Sequence, residues 1–252
     1  MYYTFDSRIR YSEVDGGGLL RPDALMDYFQ DCSTFQSEDG GVGIGYMKDT
    51  HSHWLVSYYQ IEIARYPVYG EKVRIGTVPY ESRGFLGLRN FFMETEGGER
   101  LATANSVWSL IDLRRMLPVH IPQKMLDCYV LHDKLEMNYL PRKMKFPEGD
   151  SEERDIITVS ELYLDSNHHV NNVQYVRFAL KQIPEDRIIT RLRVEYKKQA
   201  LLGDRIHVVM HTSENGKVTA ALNADDGSTY VIVELKLRPR RPEESDAWIR
   251  RD

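Results

Sequence analysis

The sequence predicts an α+β protein made of two tandem copies of one unit, each a long helix wrapped by a curved antiparallel sheet. Three observations predict it. The chain repeats an opening segment and a later turn-and-strand segment at nearly constant offsets. Apolar residues after each opening fall three or four apart, which is helical spacing. Segments after each later turn are rich in β-branched and aromatic residues and are separated by Gly-containing turns, which is the pattern of an antiparallel meander. At 252 residues and 42% hydrophobic content, the chain can bury two small cores.

The first opening is Tyr11-Ser12-Glu13-Val14-Asp15, read as strand and turn, followed by a helix face of Leu25, Tyr28, Phe29, Cys32 and Phe35. The second runs from Val159-Ser160-Glu161 to Asp165 and leads into Val170, Val173, Val176 and Leu180, ending near Pro184. Downstream, Val68-Tyr69-Gly70-Glu71 matches Leu201-Leu202-Gly203-Asp204, each a turn entering a strand. The Asp positions lie 150 apart (165 − 15) and the Gly positions 133 apart (203 − 70), so the first half carries 17 extra residues (150 − 133). Ser37 to His53 is the expected insertion. Strand character covers 91–94, 101–111, 204–210, 218–222 and 230–237, with hairpin signals at Glu96-Gly97-Gly98, Glu214-Asn215-Gly216 and Asp225-Asp226-Gly227. The expected organisation is a first unit over 1–140, a linker over 141–155, a second unit over 156–240 and a solvated polar tail over 241–252. The two sheets would meet edge to edge as a pseudo-dimer with one continuous sheet.

A formal net charge of −5 and a pI near 5.9 leave no global basic field for nucleic acid or an anionic membrane surface. No apolar run reaches the ~18 residues of a membrane span, and Met1 leads straight into Tyr-Tyr-Thr-Phe, so the expected location is cytoplasmic. Cys32 and Cys128 are too few for a disulfide framework or a zinc cluster and are read as reduced structural thiols. The basic groups Arg142, Lys143, Lys145 and Arg187, Arg191, Arg193, Lys197, Lys198, Arg205 are candidates for a local patch that meets an acidic partner.

Chemistry-bearing residues concentrate where the second strand meets its helix. Asp165, Asn167, His169, Asn171 and Asn172 cluster there, whereas the equivalent first-half turn reads Asp15-Gly16-Gly17-Gly18-Leu19-Leu20. One active site per chain is expected. Neutral imidazole accepts a proton near pH 7, a carboxylate orients it or acts as base, and carboxamides hold water or substrate. Free backbone amides at the helix start, at Val170 and Asn171, are the expected oxyanion donors. Asp165 and Asn167 are also ordinary helix-capping residues. His168 is expected to face solvent, because adjacent residues point in different directions, and for the same reason the His pair implies no metal site.

The run Asp165-x-Asn167-x-His169-Val170-Asn171-Asn172-x-x-Tyr175 resembles the Asp-x-x-x-His-Val-x-Asn-x-x-Tyr signature of hotdog thioesterases. With Asn167 included it is most similar to the acyl-ACP thioesterases of plants and bacteria, and Arg10-Tyr11-Ser12-Glu13-Val14-Asp15 is similar to that family's start. The resemblance implies two tandem hotdog domains, the first binding the acyl chain between its helix and sheet and the second catalytic. It also implies hydrolysis of fatty acyl-ACP in fatty acid biosynthesis without a cofactor, and a partner in acyl carrier protein bearing a fatty acyl-phosphopantetheine. A homodimer is an admissible assembly. The family also places an acidic residue at the end of a Glu-Tyr-x-x-Glu pattern, sometimes beside a cysteine. Here that stretch reads Glu195-Tyr196-Lys197-Lys198-Gln199-Ala200, so Gln199 would position water and leave proton transfer to Asp165 and His169. Glu195 is the substitute carboxylate, provided that a bulge turns it toward the site. The alternatives are an acyl-CoA thioesterase and a catalytically silent acyl-binding hotdog protein, the latter suggested by Gln199.

Overall fold

The computed structural model describes residues 1–165 and 168–248. The chain divides into two compact units: Met1–Ser57, Ile61–Tyr139 and Pro242–Asp252 form the first, and Tyr58–Gln60 with Leu140–Arg241 the second. In the first unit, strand β1 (Tyr3–Arg8) precedes helices α1 (Pro22–Asp39) and α2 (Ile44–Asp49). Strands β2 (Ser52–Ile63), β3 (Lys72–Arg83), β4 (Leu86–Thr95), β5 (Arg100–Asp112) and β6 (Leu117–Pro118) come next, then helix α3 (Gln123–Cys128). The second unit has β7 (Glu152–Thr158), α4 (Asn172–Leu180), β8 (Arg187–Tyr196), β9 (Arg205–Thr212), β10 (Lys217–Asn223) and β11 (Thr229–Pro239).

Strand order in the first unit is β1-β3-β4-β5-β2, with β6 on β5. In the second, the middle of β2 is followed by β8-β11-β10-β9-β7. The registered ladders are antiparallel; β3–β4 and β4–β5 in the first unit and β9–β10 and β10–β11 in the second are hairpins of consecutive strands, while β1–β3, β7–β9 and β8–β11 pair across longer connections. Four of the five sequence-predicted strand segments fall inside strands, the fifth, 204–210, begins one residue ahead of β9, and the architecture is the expected α+β one.

Helix α1 starts at a proline, whose missing N–H costs nothing in a first turn, and ends where Gly40 donates its amide to Gln36 O at 3.1 Å. Its buried face is Ala24, Leu25, Met26, Tyr28, Phe29 and Cys32, and Phe29 stacks on Phe91 of β4 at 5.3 Å. Each such large side chain contributes roughly 1.5–3 kcal/mol on burial. Phe35 continues the pattern but stays exposed, packing edge-on against Phe5 at 5.3 Å. Burial pushes the Cys32 thiol up to about 12, so it stays protonated as a core residue.

Four expectations change. Tyr11–Glu13 and Glu161–Tyr163 are 3-10 turns rather than strands, because the first strand of each unit ends earlier, at Arg8 and Thr158. The two helices are unequal, 18 residues in α1 against nine in α4, so the insertion is largely the second half of α1 plus α2. Val42, just before α2, packs there with Leu110, Ile121, Met125 and Tyr129.

The expected linker is a strap. Leu140 N–H donates to Gln60 Oε1 at 3.0 Å, Pro141 O accepts from Arg193 at 2.6 Å and Met144 N–H donates to Glu195 Oε2 at 2.9 Å. Asp150 O then accepts from His211 Nδ1 at 2.8 Å, and residues from Glu152 onward are already β7. The stretch lacks apolar periodicity because side chains, not a ladder, satisfy its backbone.

The expected solvated tail is docked on the first unit. Ala247 N–H donates to Gly17 O at 2.7 Å and Trp248 Nε1–H to Gly16 O at 2.9 Å. The indole lies against Tyr11 and Tyr69 at 5.7 and 5.9 Å between ring centres. A Cβ on Gly18, whose φ is +84°, would approach the indole to 3.1 Å. An Arg-rich composition concealed this anchor.

Candidate active site

The turn before α4 is built as the turn before α1 is built. In the first unit, Asp15 N–H donates to Leu19 O at 2.8 Å, and Asp15 Oδ1 accepts the amides of Gly17 and Leu19 at 2.9 and 3.0 Å. In the second, Asp165 N–H donates to His169 O at 2.8 Å and Asp165 Oδ1 accepts the His169 amide at 3.3 Å. Val14 bridges Leu20 and Leu19 bridges Val68; equivalently, Leu164 bridges Val170 and His169 bridges Leu201. Gly18 and His168 both take the left-handed conformation, φ +84° and +60°. The backbone framework is one solution used twice, and the side chains differ.

His169 is half-buried at the position of Leu19, and His168 is exposed, as expected. Asn167 lies outside the described residues. Asp165 stands beside His169, with one carboxylate oxygen committed to the turn as in Asp15. Its role in shaping the turn is thus common to both units, while the imidazole belongs to the second alone.

The oxyanion assignment is corrected. Val170 N–H donates to Ala200 O at 3.1 Å and Asn171 N–H to Tyr163 O at 2.9 Å. Both amides belong to the pairing that precedes the helix, which begins only at Asn172. Asn171 is the cap: its Oδ1 accepts from Val173 N–H and its carbonyl from Gln174 N–H, both at 2.9 Å. That leaves Asn172 as the first-turn amide with no acceptor among the described residues, at the positive end of the α4 dipole.

Gln199 is brought to the turn and Glu195 is not. After β8, the amides of Lys197 and Lys198 both donate to Tyr230 O, at 2.8 and 3.1 Å, a local bulge that changes the facing of the residues beyond it. Half-buried Gln199 then precedes Ala200, whose carbonyl holds Val170 and whose amide donates to Tyr175 Oη at 2.8 Å. Glu195 precedes the bulge and faces away from Tyr196, whose hydroxyl donates to Asn172 O at 3.1 Å. Glu195 is 3% exposed, and its carboxylate holds the strap through Met144 N–H, with Lys143 Nζ at 3.3 Å. Alternation along the strand thus withholds Glu195 from the site.

Two tyrosines were missed as positioning residues. Tyr175 and Tyr196 meet edge-on at 6.3 Å and pin the start of α4 to the end of β8, and burial pushes the Tyr175 hydroxyl up to about 12. Tyr175 stood in the motif as its last member; its spacing from Asn172 was the available signal.

The start of α4 thus brings together a half-buried imidazole, a carboxylate beside it and a helix-end amide, with Gln199 on the adjoining segment, on a scaffold of two α+β units. Residues 2–129 match the acyl-ACP thioesterase N-terminal domain and residues 148–238 the acyl-ACP thioesterase C-terminal domain; the chain belongs to this family. It is 27% identical over 255 residues to a chloroplastic acyl-(acyl-carrier-protein) hydrolase of Cuphea viscosissima, covering 92% of this chain and 60% of that one. It is 26% identical over 215 residues to an oleoyl-acyl carrier protein thioesterase of Arabidopsis thaliana, covering 77% and 56%. The chain thus spans about 60% of the length of these plant relatives.

Among solved structures, an acyl-ACP thioesterase from Bacteroides thetaiotaomicron superposes with a TM-score of 0.84 at 21% identity, covering 93% of this chain and 97% of that one. A 12:0-ACP thioesterase from Umbellularia californica gives 0.83 at 20% identity, covering 95% and 99%. At these identities the likeness is one of fold, and that fold is the double hotdog.

Proposed function

We propose that the chain hydrolyses the thioester of a fatty acyl group carried on acyl carrier protein, releasing the fatty acid and the carrier's thiol. The observation that carries the reading is His169, a half-buried imidazole at the one helix start that differs in chemistry from its twin. Family membership supplies the substrate class.

In this mechanism His169 takes a proton from water as the water oxygen attacks the carbonyl carbon. The carbonyl electron pair moves onto oxygen, where the Asn172 amide at the positive end of α4 stabilises it. Re-formation of the carbonyl breaks the carbon–sulfur bond, and His169 returns its proton to the departing sulfur. Asp165 orients the imidazole while closing its turn, and Asn167 and Gln199 hold the water. Neither Glu195 nor a thiol takes part.

His169→Ala is expected to lose roughly 10²–10⁴-fold in turnover, the usual worth of general acid–base catalysis, with an unchanged melting profile. Thiol release from acyl-ACP in a chromogenic assay measures it; near-normal hydrolysis by the variant would remove His169 from the mechanism. Gln199 at the family's acidic position favours one other reading, a silent acyl-binding protein, which predicts stoichiometric acyl binding with no thiol release by the unmodified chain. The same acyl group on ACP and on CoA separates the carriers.

A further inference from the structure

The socket that Trp248 fills on the first unit has a counterpart on the second. Trp248 sits against Tyr11, Tyr69 and the Gly18 turn, and Val68, beside Tyr69 and bridged to Leu19 of that turn, is 8% exposed. By the repeat offsets these positions correspond to Glu161, Leu202, His168 and Leu201. Among the described residues no segment covers them: Leu201 is 51% and Leu202 55% exposed, and neighbouring Leu162 is 88% exposed. Three large aliphatic side chains stand in water at the rim of the turn that carries His169, and Leu201 is the residue bridged to it. A lone exposed leucine needs no explanation, but three on the two segments that flank a candidate site do.

Charge indicates the occupant. The segment Lys197-Lys198-Gln199-Ala200-Leu201-Leu202-Gly203-Asp204-Arg205 has three cations against one acid, and Asp204 is engaged by Leu201 N–H and Tyr230 Oη at 2.9 and 3.0 Å. Each cation has a carboxylate partner, Glu195 at 3.9 Å from Lys197, Asp226 at 3.9 Å from Lys198 and Asp225 at 3.4 Å from Arg205, and Lys198 also donates to Ser228 Oγ at 3.2 Å; the Lys198 and Arg205 pairs are exposed, and exposed pairs contribute little and exchange readily. Apolar groups flanked by loosely held cations suit a partner with an apolar face and an acidic rim. We infer that Leu162, Leu201 and Leu202, with Lys197 and Lys198, form the docking surface for the protein part of an acidic acyl carrier, in the place where Trp248 docks on the first unit. The inference rests on the proposed hydrolysis for the carrier's identity. It adds a surface that recognises the carrier's protein rather than its acyl chain.

The test compares the unmodified chain with Leu162→Asp, Leu202→Asp and Lys198→Glu. Binding is read by fluorescence anisotropy with a carrier protein bearing a non-hydrolysable acyl amide, and turnover is read with acyl-ACP and with the same acyl group on CoA. A tenfold or greater weakening of carrier binding, an equal rise in KM for acyl-ACP and less than threefold change in kcat/KM for acyl-CoA would support the surface. Carrier binding within twofold of the unmodified chain in all three variants overturns it, as does an equal loss on both carriers. If the unmodified chain binds the carrier but releases no thiol from either substrate, the hydrolytic reading fails and the anisotropy series still decides the surface.

Discussion

The two helix-start turns share nearly every backbone hydrogen bond and differ in what they present. Each has an Asp closing the turn, a left-handed residue at its fourth position, a bridge to the turn that leads into a later strand (Val68 before β3, Leu201 before β9) and a 3-10 turn before it. The first presents Gly and Leu and is covered by Trp248; the second presents a His pair and is bordered by exposed leucines. The comparison separates residues that build the turn from residues that act on something else. Asp165 belongs partly to the first group because Asp15 performs the same bonding where no imidazole is present.

Substitutions can break this comparison, and the largest effect on stability is expected at the covered turn. Trp248→Ala removes two aromatic contacts and a hydrogen bond to Gly16 and should cost roughly 1–2 kcal/mol in chemical denaturation, with turnover unchanged. A cost below a few tenths of a kcal/mol would mean that the tail is not an anchor.

Next come the paired aspartates. Asp15→Ala and Asp165→Ala should each cost about 1 kcal/mol, the typical worth of a side chain that satisfies turn amides. Only Asp165→Ala should also slow thiol release. Equal kinetics in the two variants would make Asp165 structural alone and leave His169 without an orienting carboxylate.

The smallest effect is expected at His168→Gly. Relief of a left-handed non-glycine residue outweighs the added freedom of the unfolded chain, for a gain of about 0.5 kcal/mol. Turnover should not change, since the ring is exposed. Loss of activity would show that His168, not His169 alone, reaches the substrate.

Repeats, helix faces and hairpin turns were legible because each depends on local spacing: period 3.6 or 2 and a Gly where φ is positive. The motif around His169 was legible for the same reason, its members falling within eleven positions, 165–175. The facing of Glu195 and Gln199 was not. A bulge at Lys197 and Lys198, made by a doubly accepting Tyr230 carbonyl, decides it, and Tyr230 is 32 positions from Lys198 (230 − 198).

By itself the sequence determined that one unit occurs twice, that each unit carries a helix after its opening turn, and that only one of those turns carries an imidazole. Tertiary structure alone decided which amides are free, which carboxylate holds the strap, and that the last described residues cover the first turn. Spacing along the chain sets local conformation, whereas a backbone donor or a buried charge is satisfied by whatever distant group the packed fold delivers to it.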